Sequence, residues 1–207
     1  MPSIVWYIFG PTASALFDPS LLWSYRWRLL LLQPLIFLTI TLIKIPYLLS
    51  PPFTTTSIPN RHGLALRTLI YLPKRRKDDR LSPLHISFHA GAFIGGFPET
   101  QAHFSKVVVE KTGAVVVAPH TRYAPRHVFP AMIEDAEDAV KYCLENCERL
   151  WGADPRCVTT DGFSAGGNLA VAVCQDALVR KAVKGVVTFY GVVCYGILPL
   201  LFLSRRC

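Results

Sequence analysis

Gly162-Phe163-Ser164-Ala165-Gly166 sets a serine between two glycines. Such a serine becomes a nucleophile if the backbone lifts its hydroxyl clear and a base takes its proton. At ordinary Gly and Ser frequencies this pattern arises by chance in about one chain in fourteen of this length, so its surroundings decide its meaning. The run before it, "CVTTDG" (157–162), is predicted to be a strand, and Ala165–Val179 a helix. A strand–turn–helix elbow strains the backbone and raises the serine above the sheet, and the helix N-terminus beneath favours developing negative charge. The glycines leave room for the turn.

A second group lies upstream. His89, Ala90, Gly91 and Ala92 follow the strand-like run "LHISFHA" (84–90). Small residues there let backbone N–H groups approach a substrate carbonyl. Gly91 and Ala92, with the N–H of Ala165, are candidate oxyanion donors. An ordinary Gly-rich turn is the alternative. The missing piece is the base. All six histidines (62, 85, 89, 103, 120 and 127) precede Ser164. The one acid after it is Asp176, expected twelve residues further along the same helix, about 18 Å away by helix rise. From there it cannot orient a base beside the serine.

The elements that must hold these residues alternate. "LRTLIYLP" (66–73), "AVVVAPH" (114–120) and "KGVVTFYG" (184–191) are predicted strands. "TQAHFSKVVVEKTG" (100–113) is a predicted helix stopped by Gly113. Ile133, Ala136, Val140, Cys143, Leu144, Cys147 and Trp151 form one apolar face of another, with Pro130 at its first turn and Gly152 at its end. Apolar β-branched strands between helices predict an α/β fold, a mostly parallel sheet with helices on both faces.

Composition adds a membrane. The chain is 51% hydrophobic, with a mean hydropathy of +0.32. Leu29–Ile43 carries no charge, and with the residues to Leu49 it reaches the length of a bilayer span. Trp23, Tyr25, Trp27 and Tyr47 flank it as interfacial aromatics do. The expectation is a membrane helix at 29–49, with an apolar lid helix as the alternative. The formal net charge is +8, but Lys74–Lys77 runs straight into Asp78 and Asp79. That cluster reads as a solvated loop, and no nucleic-acid motif accompanies it. Six cysteines without a C-x-x-C pair read as buried thiols, with no metal site and no cofactor expected.

Three ordered motifs make the chain resemble the hormone-sensitive-lipase branch of the α/β-hydrolases, which includes arylacetamide deacetylase. His89–Ala92 match its H-G-G-G or H-G-G-A, "TRYAPRHVFPA" (121–131) matches Y-R-x-A-P-E-x-x-F-P-A, and Gly162–Ala170 match G-D-S-A-G-G-N-L-A. Ala90, Thr121 and Phe163 depart from it, standing where the family has glycine, tyrosine and aspartate. The resemblance implies a serine carboxylic-ester hydrolase with Ser164 as nucleophile and His89 shaping the oxyanion loop. It implies small-molecule or lipid ester substrates, and a single-pass membrane location at the endoplasmic reticulum. The family's acid and histidine come after two further strands, and nothing after Ser164 supplies them. The expected organisation is an N-terminal region (1–50), a Pro/Thr-rich linker (51–60), a partial hydrolase domain (61–192) and an aberrant apolar tail (193–207). On that reading the sheet is incomplete, the chain is C-terminally truncated, and it is inactive alone. A non-catalytic ligand binder, as the plant gibberellin receptors are within the family, and a remnant membrane protein are the alternatives.

Overall fold

The computed structural model describes residues 50–74, 80–124 and 126–191, with isolated positions before residue 50. Apart from those positions, the predicted helix at 29–49 and the tail 193–207 lie outside the described residues. Among the described residues no helix is long and apolar enough to cross a membrane.

Six strands form one mixed sheet in the order β1-β2-β4-β3-β5-β6. They are β1 (Thr54–Pro59), β2 (Ala65–Tyr71), β3 (Ser82–Phe88), β4 (Val115–Pro119), β5 (Ala153–Phe163) and β6 (Val183–Phe189). β4, β3, β5 and β6 run parallel, while β1 and β2 add two antiparallel pairings at one edge. The alternation of side chains along each strand divides the core in two. Leu84, Ile86, Val115, Val117 and Val158 face α2 (Ala131–Trp151) and α3 (Ala165–Ala172), where they meet Ala136, Val140, Cys143 and Leu169. Leu69, Tyr71, Val116 and Ala118 face the other way, against Ala102 and Val109 of α1 (Ala102–Thr112). β4 is buried along its whole length because helices cover both its faces. Gly113 and Gly152 end α1 and α2 in the left-handed conformation, as their positions predicted.

Two sequence expectations are corrected here. Residues 51–60 are not a linker, because Thr54–Pro59 is an edge strand paired with β2 from Thr54↔Ile70 to Pro59↔Ala65. Threonine suits a half-exposed strand, and an edge tolerates the proline. The helix predicted over 165–179 is broken. α3 ends at Ala172, a 3₁₀ turn covers Val173–Gln175, and α4 (Ala177–Ala182) starts afresh. Asp176 caps α4, accepting the N–H groups of Leu178 and Val179 at 2.9 and 3.2 Å, and pairs with Lys141 at 2.7 Å. Its carboxylate is occupied by structural work away from the elbow.

Candidate active site

β3 and β5 are neighbours in register, with Phe88 opposite Gly162. The loop after β3 and the turn after β5 therefore emerge side by side at the same end of the sheet. Ser164 is the residue between β5 and α3, with φ 52° and ψ −117°. A positive φ in a residue with a side chain costs on the order of 1–3 kcal/mol and persists only where the surroundings enforce it. Here two contacts enforce it. The Ser164 N–H donates to the Phe189 carbonyl at 2.9 Å, tying the elbow to β6. Gly166 lies against the Phe88 carbonyl so closely that a Cβ would collide with backbone. Gly166 thus lets the elbow and the loop after β3 pack back to back. The Ser164 side chain makes no capping bond to α3.

The loop after β3 is equally constrained. Gly91 has φ 157°, and a Cβ on it would meet the Gly95 carbonyl. Ala92 and Phe93 follow with φ of 52° and 61°. Ile94 and Gly95 both donate to the Gly91 carbonyl, which folds the loop on itself. Among the described residues, no backbone bond of this loop consumes the N–H groups of Gly91 or Ala92. The N–H of Ala165, in the first turn of α3, is free by helix geometry.

Three supports hold the loop from behind. His89 is buried, and its Nδ1–H donates to the Ala90 carbonyl at 2.8 Å. Its Nε2 then accepts from Nδ1–H of His120 at 3.1 Å, the tautomers being assigned from these partners. Gln101, with its amide set to satisfy both neighbours, donates to the Phe88 carbonyl and accepts the Ala90 N–H. Ala124 donates to the Phe93 carbonyl at 2.9 Å, so the 121–131 motif braces the 89–92 motif directly. That brace is itself anchored by Asp135, which is fully buried. Asp135 accepts from the backbone N–H and Nε of Arg122 at 2.8–3.0 Å, from Arg122 Nη2 at 2.8 Å and from Asn60 Nδ2 at 2.8 Å.

Sequence reasoning missed the pairs formed between strands. His85 on β3 reaches Asp161 on β5, Nε2 to Oδ1 at 2.9 Å, and its Nδ1 meets Thr159 Oγ1 at 2.7 Å. This buried link joins the strand leading to the loop with the strand leading to the elbow. Phe163, which stands where the resemblance expects aspartate, stacks on Phe189 at 4.4 Å. Phe104 of α1 meets both rings edge-on at 5.2 and 5.4 Å. The residue before the serine thus belongs to an aromatic wall. Its pairing depends on register between distant segments, which no local motif encodes.

Burial pushes the pKa of His89 below its ordinary value of 6.5, although the Ala90 carbonyl and Glu99 pull it back. The unfolded chain therefore binds a proton near pH 6.5 that the folded chain refuses. Since the unfolded state binds more protons there, stability rises with pH across that window and is lost as pH falls from about 6.5. Urea melts between about pH 5 and pH 8 should show this acid loss in the wild type and a shallower one in His89→Gln. Parallel pH profiles would remove His89 from the account.

A strained serine between a parallel strand and a helix, beside a small-residue loop at the strand ends, defines the α/β-hydrolase class. The family model for the alpha/beta hydrolase fold matches residues 85–197, more than half of the sequence, and the chain belongs to that family. Its relatives include human arylacetamide deacetylase-like 2, 38% identical over 128 residues, covering 58% of this chain and 32% of the relative. They also include esterase LipI of Mycobacterium tuberculosis, 34% identical over 110 residues, covering 53% of this chain and 34% of that protein. Among solved structures, a hyperthermophilic esterase from Pyrobaculum calidifontis superimposes with a TM-score of 0.64 at 36% identity, covering 75% of this chain and 50% of that one. The chain spans about a third of the length of the curated relatives it matches.

Proposed function

We propose that this chain carries the nucleophilic half of a serine carboxylic-ester hydrolase. The backbone of Ser164 carries the reading, since φ 52° and ψ −117° is strain that serves a raised nucleophile. Ser164 Oγ attacks the ester carbonyl carbon and gives up its proton to a base. The carbonyl oxygen becomes an oxyanion, received by the N–H groups of Gly91, Ala92 and Ala165. Collapse expels the alcohol with a proton and leaves an acyl-serine, which water then cleaves. Each oxyanion donor is worth about 3 kcal/mol in the transition state. The names of the relatives, esterase and arylacetamide deacetylase, support acyl transfer to water. The Phe104–Phe163–Phe189 wall beside the serine favours uncharged esters with an apolar or aromatic group.

The base has to be a histidine, and residues 165–207 contain none. In these 207 residues alone, Ser164→Ala is therefore expected to hydrolyse p-nitrophenyl butyrate within about tenfold of wild type, because without a base the serine adds little to the residual catalysis of the oxyanion hole. Robust turnover abolished by Ser164→Ala would show that a base exists among residues 1–163. The same lack of a base favours a second reading, a binder of ester-like ligands without turnover. Calorimetric binding of an uncleaved aryl ester, weakened by Ala92→Pro, would support it.

We further propose that residues 29–49 attach the chain to a membrane. Leu31, Leu38 and Leu42 are helical positions exposed by 71, 54 and 60%, and the apolar run in which they stand has the length of a bilayer span. Alkaline carbonate washing should leave the full chain in the membrane pellet. Its release into the supernatant would contradict the attachment.

A further inference from the structure

A cleft lies at the opposite end of the sheet from Ser164. Its volume is about 520 Å³, and Ser82 and Pro83 at the start of β3 form part of its wall. The length of β3 puts it about 20 Å from the elbow. Among the described residues, four that line it are cationic, Lys74, Arg80, Lys106 and Lys111, and one, Glu110, carries a carboxylate. Glu110 meets Lys106 only at 3.8 Å, and among the described residues Lys74, Arg80 and Lys111 have no carboxylate partner. The lining also contains the apolar residues Leu81 and Val109. Tyr71 also borders the cleft. Excess positive charge beside apolar lining fits a molecule with an anionic head and an apolar body. The carbonyls at the end of α1 do not oppose this strongly. The Val108 carbonyl accepts from Thr112 Oγ1 and the Val109 carbonyl from the Gly113 N–H, and Lys111 sits in the same turn.

We propose that this cleft holds the headgroup of an anionic membrane phospholipid. The choice of a bilayer lipid rests on the attachment proposed for residues 29–49. Pro52, in the cleft wall, lies three residues beyond the end of that run, a reach of about 10 Å. A membrane entered at residue 49 therefore brings its headgroups to the cleft. The site is separate from the ester chemistry at Ser164.

The test uses the full chain in a neutral detergent, incubated with equal amounts of phosphatidylserine and phosphatidylcholine and weighed by native mass spectrometry. Phosphatidylserine should be retained about tenfold over phosphatidylcholine, given the usual attraction of several cations for an acidic headgroup. Lys106→Glu with Lys111→Glu should abolish that preference, while Lys181→Glu with Lys184→Glu, an equal charge change outside the cleft, should keep it. Both pairs are surface positions, and unchanged circular-dichroism melts would confirm their folds. Equal retention of the two lipids, or equal loss in both charge-reversed variants, overturns the proposal. Displacement of the lipid by millimolar inorganic phosphate also overturns it, assigning the cleft to a free anion. Carbonate washing of the same preparations reports on the attachment separately, so failure of one reading is distinguishable from failure of the other.

Discussion

Joining residues 1–191 to the C-terminal half of the Pyrobaculum calidifontis esterase is expected to raise p-nitrophenyl butyrate turnover at least about a thousandfold over the unjoined chain. The junction follows from the sheet. β6 pairs with β5 on one side, and its other edge carries no strand among the described residues. Val186 and Val187 on β6 are 38 and 50% exposed, so further strands have a surface to join. In this class the acid and then the histidine follow the nucleophile along the chain. A neutral imidazole within reach of Ser164 Oγ takes the proton during attack and returns it to the leaving alcohol. On the proposed reading the other parts lie within residues 85–189, where contacts hold the loop at 91–92 and the elbow. Ser164→Ala in the chimera should return the rate to that of the unjoined chain, and a fluorophosphonate probe should label Ser164 only in the chimera. A chimera that melts cooperatively yet takes up no probe would show that the loop or Ser164 is misplaced for acyl transfer.

The strand–turn–helix at Ser164 was more legible in the sequence than the architecture around it. Ser164, Gly91, Ala92 and Ala165 are local features. A strained turn needs small neighbours, and those neighbours are adjacent in the chain. β4 and α2 were legible for a similar reason, because burial on both faces writes a continuous apolar run and a helix face writes a periodic one. β1 was not. Only Ile58 of its six residues is buried, so no apolar pattern marks it, and proline and threonine made it look like a linker. Asp176 was misplaced because a capping acid inside an apolar stretch resembles one exposed helix residue. The His89–His120 and His85–Asp161 contacts span 31 and 76 residues. They exist because strand order brings β3 beside both β4 and β5, and strand order is set by the packing of the whole sheet.

The same dependence on distant partners makes Asp135→Ala the most damaging single substitution expected in this domain. Asp135 has no exposure to water, and four donors from Arg122 and Asn60 converge on it. Removing the carboxylate leaves Arg122, which is 15% exposed, with only long contacts to the Ala131 carbonyl at 3.4 Å and to Glu134 at 3.7 Å. Breaking a buried pair in this way costs about 3–5 kcal/mol, lowering Tm by about 10 °C for a domain of this size. The damage should also reach the loop at 91–92, because Arg122 holds the segment from which Ala124 bonds the Phe93 carbonyl. Replacing both partners with apolar residues, Asp135→Leu with Arg122→Met, should cost less than Asp135→Ala alone, since no orphaned charge remains. Thermal melts of the single and double variants give the comparison. If the double variant is as unstable as the sum of its singles, the two residues act independently, and Asp135 does not anchor the second motif through Arg122.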